Sequence, residues 1–357
     1  MPTQNSVKFS DSAIAYIGLD VHLKQWNVCI YHGGIKRKSF QQSPSVDVLM
    51  KHLESNYPGL AYHSAYEAGV CGFSIHYALE KAGVKNIVFN AADIRQTNKE
   101  RARKTDSIDA SKIARELSQG QLKSIHIPPK ERVDDRSLLR ERGMLLGDIK
   151  RLKARIRHFL HVNGIRIPDE YSAGKWPKSF VKWLKGPCSD AAEKSTAFVI
   201  CDMTDTLVGM AERLKIVDKR IASLMQTKAY SDDYSLLMSI PGIGKITACT
   251  ILLECGDLSE FSSAEKFCAF IGLVPDMNRS DEHEGKCSIT RRRHKILRYM
   301  LTECAWKAIS VDSHLSGLYV KYSRRMPRAK AIVKIANKLA KIIKFVMRNK
   351  TAYVQNA

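Results

Sequence analysis

The chain has 357 residues, 44% of them hydrophobic, with 58 Lys+Arg against 36 Asp+Glu and a formal charge of +22. That hydrophobic share builds real cores and excludes a disordered basic protein, and the length suits two or three domains. No apolar run reaches the ~18 residues of a membrane span, and the polar start MPTQNSVKFSDS lacks a signal-peptide core, so a cytoplasmic chain is expected. The nine cysteines never form a CxxC pair and are expected as reduced, mostly buried thiols rather than disulfides or a zinc site.

The positive charge is uneven. Residues 1–98 carry 9 basic and 7 acidic groups, 99–166 carry 18 and 9, 167–285 carry 13 and 18, and 286–357 carry 18 and 2. Two separated basic concentrations point to two contact surfaces for a polyanion, nucleic acid first. A soluble basic enzyme without such a ligand is the plain alternative.

In chain order, Ile14–Leu19 predicts a strand ending at Asp20, followed by strands over Trp26–Tyr31 and Ile35–Phe40 about a His32-Gly33-Gly34 turn. A helix is expected over 45–56, a strand over Leu60–Tyr66 ending at Glu67, a helix over Ser74–Lys81 and a short buried strand over Asn86–Phe89. Another helix is expected from Ser107 to about Leu117, and strands followed by alternating helix and strand indicate an α/β layer. Residues 121–130, with Pro128-Pro129, read as a linker. Heptad-like apolar spacing then predicts long helices over Val133–His161 and Asp202–Lys228, pairing as an antiparallel coiled coil around an irregular aromatic region at 166–188. The remainder reads as helices over 236–255 (broken by a turn), 263–271, 295–310 and 329–348, with a polar loop at 275–292.

Four carboxylates stand out. Asp20 and Glu67 close strands, and Asp106 and Asp109 sit three apart at a helix start, so they share one helix face. Such groups can converge at one sheet edge and hold Mg²⁺, or Mn²⁺, against a phosphodiester. Separately, Asp106 reads equally well as a helix N-cap, Glu67 as a surface residue and Asp20 as a turn residue. Arg101, Arg103 and Lys104 just precede the aspartate pair and suit a phosphate backbone. The turn Ile240-Pro241-Gly242-Ile243-Gly244-Lys245 resembles a helix-hairpin-helix, whose exposed N–H groups suit a phosphate, although a plain interhelical turn needs glycine equally. Ser280 lies in the polar loop, with nothing in composition to favour it over Ser262, Ser263 or Ser288. Tyr16, Trp176, Trp183 and Trp306 suit base stacking but are expected to pack in cores.

These residues carry a family pattern. GLD at 18–20, YEAG at 66–69 and KTDSIDASKIA at 104–114 resemble the RuvC-like DEDD domain of the "one-ten / eleven-eleven" insertion-sequence transposases. The stretches at 240–275 and 289–306 resemble their C-terminal transposase domain. The resemblance implies an α/β RuvC-like (RNase H-like) domain at 1–125, a helical coiled-coil and linker domain at 126–233, and a mostly α transposase domain at 234–357. It implies Mg²⁺ on Asp20, Glu67, Asp106 and Asp109, and Ser280 as a nucleophile that becomes joined to a 5′ phosphate of DNA. It further implies donor and target DNA, a non-coding guide (bridge) RNA and a homodimer or homotetramer sharing composite centres. Arg101, Arg103, Lys104, Gly242, Gly244, Lys245, Arg291, Arg292, Arg293 and Arg298 are the expected nucleic-acid contacts. The chain departs from the family at Asp281, where Gly usually follows the serine, and at Arg293-His294, where Gly-Asn is usual. A metal-dependent junction nuclease using water, and a non-catalytic nucleic-acid-binding protein, are the competing readings.

Overall fold

The computed structural model describes residues 13–90, 106–172, 174–275, 289–290 and 293–355, without the side chains of 106–109. The chain divides into two compact units, 1–130 and 131–357.

The first unit is built on a mixed five-stranded sheet of order β3-β2-β1-β4-β5, with β1 Ile14–Val21, β2 Trp26–His32, β3 Ile35–Gln42, β4 Ala61–Glu67 and β5 Lys85–Phe89. The first three strands form an antiparallel meander, and β4 and β5 add in parallel beyond β1. Two helices, α1 (Val46–Asn56) and α2 (Ser74–Lys81), cover one face, where Ile17, Leu19, Leu49, Leu53, Tyr66, Leu79 and Val88 form the core. Ser45 opens α1 as its N-cap, its hydroxyl accepting from the Val48 N–H.

The other face carries one helix, α3 (Asp106–Ser118). A Cβ on Gly18 would stand 2.1 Å from the Ala110 carbonyl oxygen and 2.4 Å from the Ala114 nitrogen, so only glycine admits the helix this close to β1. Ala65, Phe89, Ile113 and Leu117 seal the contact. Its C-terminal residues Leu117 and Ser118 border Tyr16, His63 and Lys85, at the amino ends of the strands. The helix therefore runs against β1 and β4, and its N-terminus lies toward their carboxyl ends. The stretch expected as a linker is partly anchored: the Ile125 N–H donates to Val88 O at 2.8 Å, and Ile125 and Ile127 pack on the core.

The second unit is helical. Two long helices, α4 (Lys130–Val162) and α7 (Lys194–Leu224), run antiparallel. Arg142 Nε donates to Asp218 Oδ1 at 2.7 Å, and farther along Ile156 and Leu160 cluster with Ile200 and Met203. The second helix begins at Lys194, eight residues before the expected start, because buried Ile200 continues the stripe of Met203 and Leu207. It ends at Leu224, short of the expected Lys228. Between them, the region expected to be irregular forms two short helices, α5 (Asp169–Ser172) and α6 (Lys178–Trp183), and a wide turn over Leu184–Cys188 around Pro187. Phe180 is fully buried and stacks at 5.8 Å on Trp183, and Trp176 meets it edge-on at 4.9 Å. Trp176 and Trp183 thus serve packing, whereas Trp306 is 42% exposed and touches Tyr319 edge-on.

The rest comprises α8 (Ser231–Met238), α9 (Lys245–Cys255), α10 (Ala264–Ile271), α11 (Lys295–Ala308), α12 (Ser313–Ser323) and α13 (Arg328–Asn349). Helix α13 runs through its core, burying Ile332, Ile335, Leu339, Ile343 and Val346 at helical spacing. Helix α12 has no counterpart in the sequence reading; buried Asp312 caps it, accepting from the Leu315 N–H. Among the described residues no helix is long and apolar enough to cross a membrane, and eight cysteines are free thiols.

Gly18→Ala is expected to push α3 off the sheet and to cost at least ~1–3 kcal/mol, the usual range for overpacking. Thermal denaturation read by circular dichroism checks this, and an unchanged melting temperature would contradict the close approach.

Candidate active site

Side chains alternate along a strand. Gly18 and Tyr16 meet the face that carries α3, so Asp20 projects to it as well. On β4, Ala65 packs under α3, which places Glu67 on that face. The parallel register pairs Gly18 with Ala65 and Leu19 with Tyr66, so Asp20 and Glu67 follow at neighbouring positions on strands ~4.8 Å apart. The helix that starts at Asp106 crosses this face with its N-terminus toward the same edge. Backbone placement thus gathers the four carboxylate-bearing positions at the carboxyl edge of the sheet. Only Asp20 and Glu67 have described side chains there.

Asp20 Oδ2 lies 3.2 Å from His22 Nε2 and accepts from the Asn27 Nδ2 at 3.4 Å. No lysine or arginine among the described residues comes within ion-pair reach of it. The side chain of exposed Glu67 has no hydrogen bond or ion pair among the described residues. Two carboxylates on one edge, without a lysine or arginine partner among the described residues, fit a divalent cation held by oxygen ligands. No group of three metal-binding side chains exists among the described residues, which do not include the side chains of Asp106 and Asp109. Sequence reasoning missed Asn27, which is 3% exposed on the α3 face. A polar residue inside the apolar run WNVCI was the available signal.

Ser280, Arg101, Arg103, Lys104, Arg291 and Arg292 lie outside the described residues. Both flanks of the 276–288 segment are nevertheless clamped. Pro275 and Ile289 form an antiparallel bridge, and the Thr290 N–H donates to Val274 O at 3.1 Å. Arg298 Nη1 donates to Gly272 O at 3.1 Å and Thr290 O at 2.9 Å, and Asn337 Nδ2 donates to Leu273 O at 2.9 Å. Arg298, expected at nucleic acid, thus spans the two flanks of the serine segment.

Gly242 and Gly244 have different duties. Gly242 has φ +82°, and a Cβ on it would stand 2.4 Å from Cys304 O, so it faces α11 rather than a ligand. Gly244 has open space around its Cβ position and precedes exposed Lys245 at the N-terminus of α9. That end is the part of the turn available to a phosphate.

The departure at His294 has a structural account. His294 Nδ1 accepts from the Leu297 N–H at 3.3 Å, capping α11 in the way Asn commonly caps helices. Its Nε2 lies 3.5 Å from Glu254 Oε2, which also accepts from Arg136 Nη1 at 3.2 Å. Burial pushes the Glu254 carboxyl up, but His294, Arg136 and Arg140 outweigh it and hold the carboxyl below its ordinary range.

A model of the DEDD transposases of IS110 elements, described as "Transposase", matches residues 17–163. A second, described as "Transposase IS116/IS110/IS902 family", matches residues 234–320. The chain belongs to this family of insertion-sequence transposases. Enzymes of this kind cut and rejoin DNA. The chain is similar to the transposase for insertion sequence element IS1533 of Leptospira borgpetersenii, 25% identical over 82% of this chain and 84% of the relative. It is also similar to the transposase for insertion sequence element IS1111A of Coxiella burnetii, 24% identical over 71% and 69%. A putative transposase, y4qE, of Sinorhizobium fredii is 25% identical over 68% of this chain, and the match spans 57% of that longer protein.

A carboxyl with a lowered folded-state pKa contributes stability above its unfolded value, and that contribution is lost as pH falls through the folded one. The helical unit is therefore expected to lose stability below about pH 4.5, the ordinary glutamate value. Glu254→Gln should lower stability at neutral pH and flatten that acid limb in melts taken at several pH values. An equally steep limb in the variant would remove Glu254 from the account.

Proposed function

We propose that this transposase cuts and rejoins DNA through a serine–DNA intermediate, with a RuvC-like carboxylate site in its N-terminal unit. The observation that carries the reading is the placement of Asp20 and Glu67 on adjacent parallel strands, on the face crossed by the helix bearing Asp106 and Asp109. Those four residues would hold Mg²⁺, or Mn²⁺ in its place. When bound, the ion supplies positive charge against the charge developing on the phosphate oxygens.

Ser280 is the proposed nucleophile. Its Oγ forms a bond to phosphorus while the bond from phosphorus to the 3′ oxygen of the preceding nucleotide breaks. The proton lost by the serine is matched by the one gained at the released 3′-hydroxyl. Attack by a second 3′-hydroxyl on the phosphoserine reverses the exchange and joins the new strands. Arg298 and Asn337 support this reading by fixing the flanks of the serine segment. His22 and Asn27 orient Asp20.

Donor and target DNA are the proposed substrates, with a non-coding guide RNA as partner. The three-domain division at 125 and 233 belongs to this reading. The paired long helices serve, as a coiled coil, to assemble a dimer or tetramer. The preponderance of basic residues at 286–357 supports a nucleic-acid contact there, including Arg291, Arg292 and Arg293.

A DNA adduct stable to SDS is expected with the intact chain, Mg²⁺, guide RNA and element-end DNA, and Ser280→Ala should abolish it. Asp20→Ala should reduce strand transfer by several orders of magnitude. Nicking without an adduct would instead favour the water-using nuclease. Neutralising Arg291, Arg292 and Arg293 together should weaken binding and reduce the salt slope by roughly 0.9 per lost contact to duplex phosphate; an unchanged slope assigns the cluster elsewhere.

A further inference from the structure

A surface recess of about 570 Å³ in the helical unit is lined by Phe261, Lys266, Ala269, Phe270, Arg293 and His294. Its wall is aromatic: Phe261 and Phe270 lie 5.3 Å apart, and Phe270 and His294 5.6 Å apart, measured between ring centres. Phe270 is 39% exposed, whereas Phe267 and Ile271 on the same helix are fully buried. Core packing therefore accounts for those two residues but leaves part of the Phe270 ring facing solvent. Two cationic side chains border the rings, and no carboxylate among the described residues lines the recess. Nearby Glu265 is engaged by Lys341 at 2.9 Å.

Ring faces beside cations suit a nucleotide, with the base on the ring and the phosphate on the cations. The wall is held in place from behind. His294 caps α11 and meets half-buried Glu254, and its backbone N–H donates to Phe270 O at 3.1 Å. The recess is also close in chain to the serine segment: Phe270 is two residues before Gly272 and His294 four after Thr290, the two carbonyls joined by Arg298.

We propose that this recess holds one unstacked nucleotide of the DNA strand cut at Ser280, its base on Phe270 and its phosphate toward Lys266 and Arg293. The proposal rests on the transposase reading and deepens it. A base held here draws the strand out of its stack beside the serine segment and sets its path.

The test uses the full chain and a short single-stranded oligothymidylate carrying one 2-aminopurine, with the matching oligouridylate as the RNA arm. The DNA probe is expected to be quenched on binding. Phe270→Ala should reduce affinity on the order of tenfold and relieve the quench without changing the salt slope. Phe270→Tyr should restore both, and Lys266→Ala should lower the slope by about 0.7. Circular dichroism melts of each variant establish that the fold is kept. Equal affinity and quench in folded Phe270→Ala overturns the proposal, as does quenching of the RNA probe alone, which would make the occupant an RNA. Loss of the serine adduct reaction in the wild type, with this binding intact, would overturn the transposase chemistry but not the subsite.

Discussion

The absence of one Cβ governs the geometry of the first unit. At Gly18 the backbone of α3 approaches β1 so closely that any side-chain carbon would overlap the Ala110 carbonyl oxygen. Ala110 and Ala114 supply the small partner surface, and Ala65 continues it on β4. The consequence is positional. A helix seated there has its first turn beside the carboxyl ends of β1 and β4, where Asp20 and Glu67 emerge on the same face. The carboxylate edge is thus the product of a packing constraint two residues before Asp20, rather than of any bond among the carboxylates.

The helical unit solves a different problem, the anchoring of a polar segment to an apolar core. The segment that contains Ser280 leaves α10 and returns before α11. Its flanks are joined by a backbone bridge and by the Arg298 guanidinium reaching a carbonyl on each side. Buried carbonyls need donors, and Arg298 and Asn337 provide them. His294 adds a second anchor, since one ring both caps α11 and reaches the half-buried Glu254–Arg136 pair. The cap of α11 is thus supplied by His294 itself.

Charge and structure meet unevenly. Of the basic residues in the last segment, Lys344 is buried and donates to Leu258 O and Phe261 O, Arg298 holds the loop flanks, and Lys341 and Lys350 pair with Glu265 and Asp233. Lys321, Arg324 and Arg325 instead border an open surface recess. A charge total therefore overstates the surface offered to a polyanion, because part of it is spent inside the fold.

Much of the fold was legible in the chain. The apolar runs around Asp20 and Glu67, the Ser45 cap and the heptad spacing of Leu145, Ile149, Leu152 and Ile156 define their elements locally, since period and capping are properties of neighbours in sequence. The family motifs named the carboxylates and the serine as candidates, and the spacing of Asp106 and Asp109 put them on one helix face. What periodicity could not give was strand order, the direction of α3, the earlier start of the second long helix, or α12. Nor could it separate Gly242, which packs on α11, from Gly244, which stands open, or Arg298 from its basic neighbours. Those distinctions depend on which distant backbone a residue meets. Local pattern determined the elements and the candidate chemistry; long-range packing alone decided which side chains share an edge.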